Sequence, residues 1–339
     1  MATTNHSFPV CLFRTDTFLT VLASFAEDRE FRLLATIPAA VLSPLIVCSN
    51  GLVLVSIVRA TLPIKTSTIS LICCLLCSDC LVGMVFLPLY ATWTMKDHAL
   101  RSCAITGSLL FVGWFITTIS FLTIIAVSCD RYIALFHSFN YKSIVTSTRT
   151  KKLIFAICLF SAVQSSMSLH HYLALAQYVL LGCLLVFGLF VLVFAYTRIF
   201  KLVRHHHRQI NSHQVVQNDR TRQTKLAITM SYVIGVTLLC YMPFGIALAV
   251  LLVQGKFSNT SFKFFHISEL FFCISSLCNP VIYCIRNLEI RTAVVVLIRD
   301  MNLFDDTKQN DHHKPTSPAT ITLKKDPTPA QSAVMVEIS

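Results

Sequence analysis

Seven long apolar runs are the feature that most constrains the fold of this chain. They lie at residues 33–58, 69–90, 104–127, 153–169, 172–200, 226–253 and 264–285. Each can cross the roughly 30 Å hydrocarbon core of a bilayer as an α-helix, which needs about 20 residues. Only 13% of the residues are charged, which is about half of the usual share in soluble domains. The sequence therefore predicts an all-α membrane protein, a seven-transmembrane helix bundle.

The Lys and Arg residues between the runs predict an orientation. The loops after the first, third and fifth runs, together with Arg198 at the end of the fifth run, hold 14 of them, whereas the loops after the second, fourth and sixth runs hold four. Because cytoplasmic loops carry the excess of positive residues, the N-terminus is expected outside and the C-terminus inside. The net charge of +12 is thus explained by topology rather than by nucleic-acid binding. Asn5 begins an Asn-His-Ser glycosylation triplet on the expected outer side.

The remaining segments complete the domain organisation. Residues 1–32 are expected as an extracellular N-terminal segment, and 33–300 as the seven-helix bundle with a short amphipathic cytoplasmic helix at its end. Residues 301–339 are rich in Asp, Lys, Thr and Pro, which predicts a disordered cytoplasmic tail. The fourth and fifth runs are almost continuous, so the chain must turn between them, and the corner is expected at 165–171.

Two acids, Asp79 and Glu269, lie well inside the apolar runs, where an ionisable group is costly unless it is paired or hydrated. Matching oxygens and amides in other runs are those of Asn50, Ser120, Ser276 and Asn279. A cluster around Asp79 can hold a small cation or a proton. It can equally be a hydrogen-bonded structural knot between helices, and the sequence leaves both readings open.

A charged triplet, Asp130-Arg131-Tyr132, falls at the cytoplasmic end of the third run. Arg131 can pair with Asp130 in one packing arrangement and release it in another. A switch requires such a two-state element.

Two prolines lie inside predicted helices, Pro243 in the sixth run and Pro280 in the seventh. Each frees a backbone carbonyl and kinks its helix, which is tolerated in membranes when neighbours satisfy the freed group. Asn279 and Tyr283 are one turn apart and share a helical face. From that face Asn279 can reach the Asp79 cluster, and Tyr283 can reach the end of the third helix that carries Arg131.

These residues, in this order and orientation, resemble the rhodopsin-like (class A) G-protein-coupled receptors over residues 33–299. The resemblance implies a plasma-membrane receptor, not an enzyme. It would bind an extracellular small-molecule or peptide ligand and activate a heterotrimeric G protein. It also implies an allosteric sodium ion, and no other cofactor, at Asp79, Ser120 and Asn279, with Asn50 and Ser276 beside them.

The resemblance further implies an activation switch, in which Arg131 holds and then releases the cytoplasmic ends of the fifth and sixth helices while two tyrosines swing in. The switch residues are Asp130, Arg131, Tyr132, Tyr196, Tyr241, Pro243, Asn279, Pro280 and Tyr283. Four positions depart from the family pattern: Tyr241 replaces a tryptophan, Gly188 a proline, and Gln223 the acid that partners Arg131, while Cys158 lies near the place of the missing fourth-helix tryptophan. A weaker inactive-state latch is therefore expected.

The ligand pocket implied by the resemblance is largely apolar. Its residues are Leu110, Trp114, Thr117, Phe244, Leu248, His266, Glu269 and Phe272, several of which have helix packing as an equally simple explanation. Gly113 stands where amine receptors have an aspartate and Cys273 where opsins have their lysine, which disfavours ordinary monoamines and retinal. Glu269 is either protonated at rest or awaits a cation. It is expected to meet a cationic or strongly donating ligand group, unless it is hydrogen-bonded for structure alone. His266 lies on the same helical face and can donate a hydrogen bond to it.

The second extracellular loop is very short and lacks the cysteine that the family's usual disulfide needs. This loop, the missing fifth-helix proline and the segment 139–146 resemble the melanocortin branch. Cys103 lies about one turn earlier than the family pattern, and Cys11 is the other clearly extracellular thiol. We predict that the two pair and tie the N-terminal segment over the pocket.

Two other functions compete with signalling. A transporter or proton channel would use Asp79, Glu269 and the histidines as a relay, but no inverted repeat supports it. A decoy receptor would bind ligand without signalling, which Tyr241 and Gln223 mildly favour and the intact Asp130-Arg131-Tyr132 disfavours.

Overall fold

The structure is a computed structural model that describes most of the chain. The described residues are 11–13, 15–60, 67–137, 139–209, 235–236, 239–256, 258–286 and 290–300, with only the backbone described for 196, 199, 200 and 202–209. The chain divides into two compact units, Met1–Leu297 and Ile298–Ser339, and the contacts given below lie within the first.

Every regular element within the described residues is helical. In chain order the helices are α1 Asp16–Glu27, α2 Arg29–Arg59, α3 Ser67–Met95, α4 Asp97–Arg101, α5 Cys103–Phe136, α6 Tyr141–Ile144, α7 Ser147–Ser166, α8 His171–Gln209, α9 Leu239–Gln254, α10 Asn259–Arg286 and α11 at 290–300. Among them α2, α3, α5, α7, α8 and α10 are long and apolar enough to cross a membrane, and α9 is a shorter apolar helix. Much of the sixth predicted run, at 226–253, lies outside the described residues. The prediction of an all-α seven-transmembrane bundle is confirmed.

The apolar runs predict some helix ends well and others poorly. α5 continues to Phe136, well past the predicted end at residue 127, because its polar residues there are buried by neighbouring helices. α7 ends at Ser166, one 3₁₀ turn spans Met167–Leu169, and α8 begins at His171. The corner therefore lies where the sequence places it.

The N-terminal segment contains a helix, α1, that hydropathy did not predict. Its N-cap is Thr15, whose side chain accepts a hydrogen bond from the backbone N–H of Phe18 at 3.3 Å. Three apolar residues on one face, Val21, Leu22 and Phe25, are buried. At 12 residues α1 is too short to span a bilayer. It buries its apolar face against the bundle instead.

Small residues let the helices approach closely. A Cβ added at Gly188 on α8 would lie 2.5 Å from the ring of Phe121 on α5, and one at Gly83 on α3 would lie 2.7 Å from Val47 on α2. Gly188 stands where the family pattern has a proline. Its lack of a side chain is what allows α8 to pack against α5.

The amphipathic helix predicted after the seventh run corresponds to α11. Ile290, Val294 and Leu297 are buried, and Ile290 and Val294 join the main hydrophobic core. Their spacing places them on one face of the helix.

Candidate functional site

A cavity opens at the end of the bundle beside α1, which is called the outer end below. It encloses about 970 Å³ of empty space, including the part open to solvent. The lining residues come from the N-terminal segment and from helices α1, α3, α5, α8, α9 and α10, with Ser168 from the corner. They are Phe13, Phe18, Phe86, Trp93, Thr106, Leu109, Leu110, Gly113, Trp114, Thr117, Ser168, Ala174, Tyr178, Phe244, Phe262, Phe265, His266, Glu269 and Phe272.

Seven of the eight pocket residues named from the sequence line this cavity. The exception is Leu248, which is buried in the aromatic cluster beside it and lines a second cavity of about 390 Å³. Leu248 therefore lies outside the lining of the first cavity, and its role in ligand binding stays a prediction. Thr117 and Phe244 line both cavities.

Several lining residues were missed from the sequence. Phe262 and Phe265 lie at helical spacing from His266, Glu269 and Phe272, and this periodicity could have revealed them. Phe13 and Phe18 carried no local signal, because only a long-range contact brings the N-terminal segment to the cavity.

His266 and Glu269 form the polar centre of the cavity. His266 Nδ1 lies 2.8 Å from Glu269 Oε2, and the side chains are 8% and 22% exposed, respectively. Rings of five residues surround the imidazole at centroid distances of 4.5–6.1 Å; they belong to Phe25, Tyr90, Trp93, Phe262 and Phe265. Within the described residues His266 Nε2 is buried without a hydrogen-bond partner. The Glu269 carboxylate thus lies beside a group of aromatic side chains.

The N-terminal segment forms part of the cavity wall. Cys11 and Cys103 form a disulfide with their Cα atoms 5.9 Å apart. The carbonyl oxygen of Leu12 accepts a hydrogen bond from the backbone N–H of His171 at 2.9 Å and lies 2.7 Å from His171 Nδ1. The Phe13 ring packs over Gly107, where an added Cβ would lie 3.3 Å from it.

The far end of α1 is held by polar contacts to α10. Asn259 Nδ2 donates to Ser24 Oγ at 3.0 Å, and Lys263 forms an ion pair with Asp28. The hydrogen bond from Lys263, together with one from the backbone N–H of Phe31, lowers the pKa of Asp28 and keeps its carboxylate charged. We call the segment formed by residues 11–13 and α1 the roof.

A buried polar cluster lies deeper in the bundle. Asn279 Nδ2 donates to Asp79 Oδ2 at 2.8 Å, and Ser276 is a second hydrogen-bond partner of Asp79. Asn50 Nδ2 donates to the Ser276 carbonyl oxygen at 3.0 Å. Ser120 lies 3.0 Å from the hydroxyl of Ser78 rather than at the carboxylate. The structure thus brings Asp79, Asn279, Ser276 and Asn50 together directly.

The donor set of this cluster fits a hard cation. It supplies carboxylate, amide and hydroxyl oxygens, which such ions prefer. Asn50 Oδ1 is buried and has no hydrogen-bond partner among the described residues, so it has an oxygen lone pair to give.

Aromatic contacts connect the cavity with the middle of the bundle. The Tyr241 ring lies 5.5 Å from Phe121 and 5.2 Å from Phe272, measured between centroids. Phe272 lines the cavity, and Tyr241 lines the second one. Pro243 follows on α9 and Pro280 lies inside α10, at the positions where the sequence predicts kinks.

At the opposite, inner end of the bundle, Arg131 is held by its neighbour and by α3. Its Nε donates to Asp130 Oδ2 at 3.0 Å, and its Nη2 donates to the hydroxyl of Thr68. Thr68 Oγ1 donates in turn to Asp130 Oδ2 at 2.7 Å, and the Tyr141 hydroxyl donates to Asp130 Oδ1 at 2.8 Å. Burial raises the pKa of Tyr141, so its hydroxyl keeps its proton and remains a donor.

The comparison with known families decides what this architecture belongs to. A family model described as "7 transmembrane receptor (rhodopsin family)" matches residues 49–283, more than half of the chain. The chain belongs to the rhodopsin family of receptors. The match confirms the resemblance drawn from the motifs and makes the chain a multi-pass membrane receptor. Membership of a receptor family argues against the transporter or channel alternative.

The other switch residues of this rhodopsin-family receptor are placed only in part. Tyr132 stacks on Phe136 at a centroid distance of 4.6 Å. Tyr283 is fully buried, and its hydroxyl has no hydrogen-bond partner among the described residues. The side chain of Tyr196, the Gln223 position and the Asn5 triplet lie outside the described residues, as does the tail from residue 301. The melanocortin likeness stays a prediction.

Proposed function

We propose that this protein is a plasma-membrane receptor with an extracellular N-terminus. It binds an extracellular ligand in the outer cavity and catalyses nucleotide exchange on a heterotrimeric G protein at its inner face. The observation that carries this proposal is the latch formed by Asp130, Arg131, Thr68 and Tyr141 on and around the helix that also lines the cavity. One rigid element therefore links a ligand site with a releasable ion pair.

The ligand meets Glu269 in the cavity. Its carboxylate is the acidic group among the lining residues, and His266 provides a hydrogen bond rather than a permanent charge. A ligand with a cationic or strongly donating group forms an ion pair or a further hydrogen bond with the Glu269 carboxylate.

Ligand binding is transmitted along two connected routes. α5 carries Trp114 in the cavity wall and Arg131 about 25 Å further along its axis. Phe272 and Tyr241 connect the cavity to α9 and α10, whose prolines act as hinges. When the cytoplasmic ends of the fifth and sixth membrane helices move apart, Arg131 leaves Asp130 and Thr68, and Tyr196 and Tyr283 then stabilise the open state.

The Asp79 cluster regulates this transition. The oxygens of Asp79 and Asn279, with Asn50 and Ser276 beside them, support binding of a sodium ion. Ser120 completes the predicted ligand set by turning its hydroxyl from Ser78 toward the ion. A cation held there stabilises the closed packing, because the helices that carry its ligands must separate when the inner face opens.

The test compares Arg131→Ala with Arg149→Ala, a control in which an arginine is removed from an exposed position at the inner end. In membranes with purified G protein, Arg131→Ala is expected to retain surface expression and to lose nucleotide exchange. Arg149→Ala is expected to retain both. Full exchange by Arg131→Ala would contradict the proposed role.

A ligand screen with a promiscuous G protein separates the alternatives. Ligand-dependent exchange supports the receptor. Ligand binding without exchange identifies a decoy, and ion flux in the same membranes identifies a transporter.

A further inference from the structure

The roof is anchored at both of its ends. At one end the Cys11–Cys103 disulfide and the Leu12–His171 hydrogen bonds fix the segment to α5 and α8. At the other, Ser24 of α1 accepts a hydrogen bond from Asn259 of α10, and Asp28, which directly follows α1, pairs with Lys263. Opening the roof widely therefore requires breaking a covalent bond or several polar contacts together.

The roof contributes side chains to the cavity rather than merely passing over it. Phe13 and Phe18 are lining residues. Phe13 packs over Gly107, and Phe18 packs edge-on against Phe262 with a centroid distance of 6.1 Å. Deeper, Phe25 stacks on Trp93 at 5.4 Å. The roof is thus part of the site that a ligand contacts.

The lining chemistry beneath the roof is aromatic with one charge. Ten of the nineteen lining residues are Phe, Trp or Tyr, and Glu269 is the acid among them. A carboxylate has about four acceptor sites, so one hydrogen bond from His266 leaves room for a second donor. A cation beside aromatic faces gains further electrostatic attraction.

We propose that the roofed cavity takes a small apolar amine and excludes a basic peptide. A peptide would bring backbone N–H and C=O groups into an aromatic surround that offers few partners for them, which is costly. It would also have to displace an anchored roof. A small aromatic amine places its ammonium group at Glu269 and its ring against the lining.

This assignment narrows the ligand class of the proposed function and rests on it. It does not restore an ordinary monoamine site, because Gly113 on α5 offers no acid. The charge comes from α10 instead, so the amine lies in a different part of the bundle.

The chain carries its own reporter for this cavity. It has two tryptophans, Trp93 and Trp114, and both are lining residues. Quenching of the intrinsic tryptophan fluorescence by a bromine-bearing molecule therefore reports occupancy of this cavity directly.

The experiment uses the purified full-length receptor in lipid nanodiscs and three brominated probes. They are 4-bromophenethylamine, its neutral analogue 1-bromo-4-ethylbenzene, and a hexapeptide with 4-bromophenylalanine between lysines. The amine is expected to quench saturably, with an affinity at least tenfold above that of the neutral analogue. The peptide is expected not to quench saturably while the disulfide is intact.

Variants separate the roles of charge and roof. Glu269→Gln is expected to weaken quenching by the amine at least tenfold, whereas Glu30→Gln, which removes an exposed acid in the first turn of α2, leaves it unchanged. The double variant Cys11→Ser/Cys103→Ser is expected to admit the peptide. Phe13→Ala tests the same point with the disulfide in place, should the double variant not fold.

The outcomes are decisive in each direction. The proposal is overturned if the peptide quenches the intact receptor as strongly as the amine, if the amine fails to saturate, or if Glu269→Gln has no effect. It also fails if both roof variants still exclude the peptide.

Nucleotide exchange on a G protein, measured without ligand on the same preparation, tests the proposed function separately. Exchange with no amine binding overturns only the ligand class, and amine binding with no exchange overturns only the signalling role.

Discussion

At the scale of single residues, Thr68 is a contact of the switch that the sequence analysis did not predict. Its hydroxyl donates to Asp130 and accepts from Arg131, so it connects both charges of the pair to the first turn of α3. The sequence predicts a weak latch because Gln223 replaces an acid. The Thr68 contact supplies a different restraint at the same arginine.

We therefore expect Thr68→Val to raise basal nucleotide exchange. The substitution keeps the side-chain shape and removes a hydrogen bond to charged groups, which contributes about 1.5–3 kcal/mol. A loss of about 1.5 kcal/mol corresponds to a roughly tenfold larger population of the open state. Basal exchange in membranes measures it, with Ser67→Ala as the control that removes the neighbouring hydroxyl. Equal basal exchange in both variants would show that Thr68 does not restrain the switch.

At the scale of elements, the packing of α8 against α5 depends on Gly188. A Cβ there would lie within 2.7 Å of both Phe121 and Ile125, closer than real side chains approach. Gly51 on α2 is the matched contrast, because a Cβ there meets nothing within 4 Å.

Gly188→Ala is expected to destabilise the receptor by about 1–3 kcal/mol through overpacking. Gly51→Ala is expected to be neutral or stabilising by up to about 1 kcal/mol, because alanine favours the helix. Melting temperatures of the purified variants compare the two. A melting temperature for Gly188→Ala at or above that of Gly51→Ala would refute the close approach of α8 and α5.

At the scale of the whole molecule, the Asp79 cluster lies between the ligand cavity and the Arg131 latch. Asn279 connects it to the helix that carries both Glu269 and Tyr283. A cation bound at the cluster therefore acts on both ends of the bundle. By linkage, the factor by which the cation changes the closed–open equilibrium equals the factor by which opening changes the affinity of the cluster for the cation.

Sodium is accordingly expected to lower basal nucleotide exchange in the wild type when it replaces choline at constant ionic strength. Asp79→Asn is expected to lose this sensitivity, because the amide keeps the shape but not the charge. Arg149→Ala again controls for changes at the inner face. Full sodium sensitivity in Asp79→Asn would exclude this cluster as the site.

Local sequence patterns determined most of the architecture and part of the site. Apolar run length predicts the membrane helices, because a helix needs about 20 apolar residues to cross a bilayer. The i, i+3 spacing of His266 and Glu269 predicts their contact, because one helix sets that geometry. Most of the predicted pocket residues line the cavity for the same reason.

Only the tertiary structure decided the contacts between distant segments. Thr68 and Arg131 are 63 residues apart, and nothing in either local sequence indicates that they meet. Phe13 and Phe18 reach the cavity because α1, too short to cross the membrane, buries its apolar face on the bundle. Leu248 lines the second cavity rather than the first. Helical period and hydropathy encode which face and which depth a residue occupies, whereas the neighbour it meets depends on how whole helices pack.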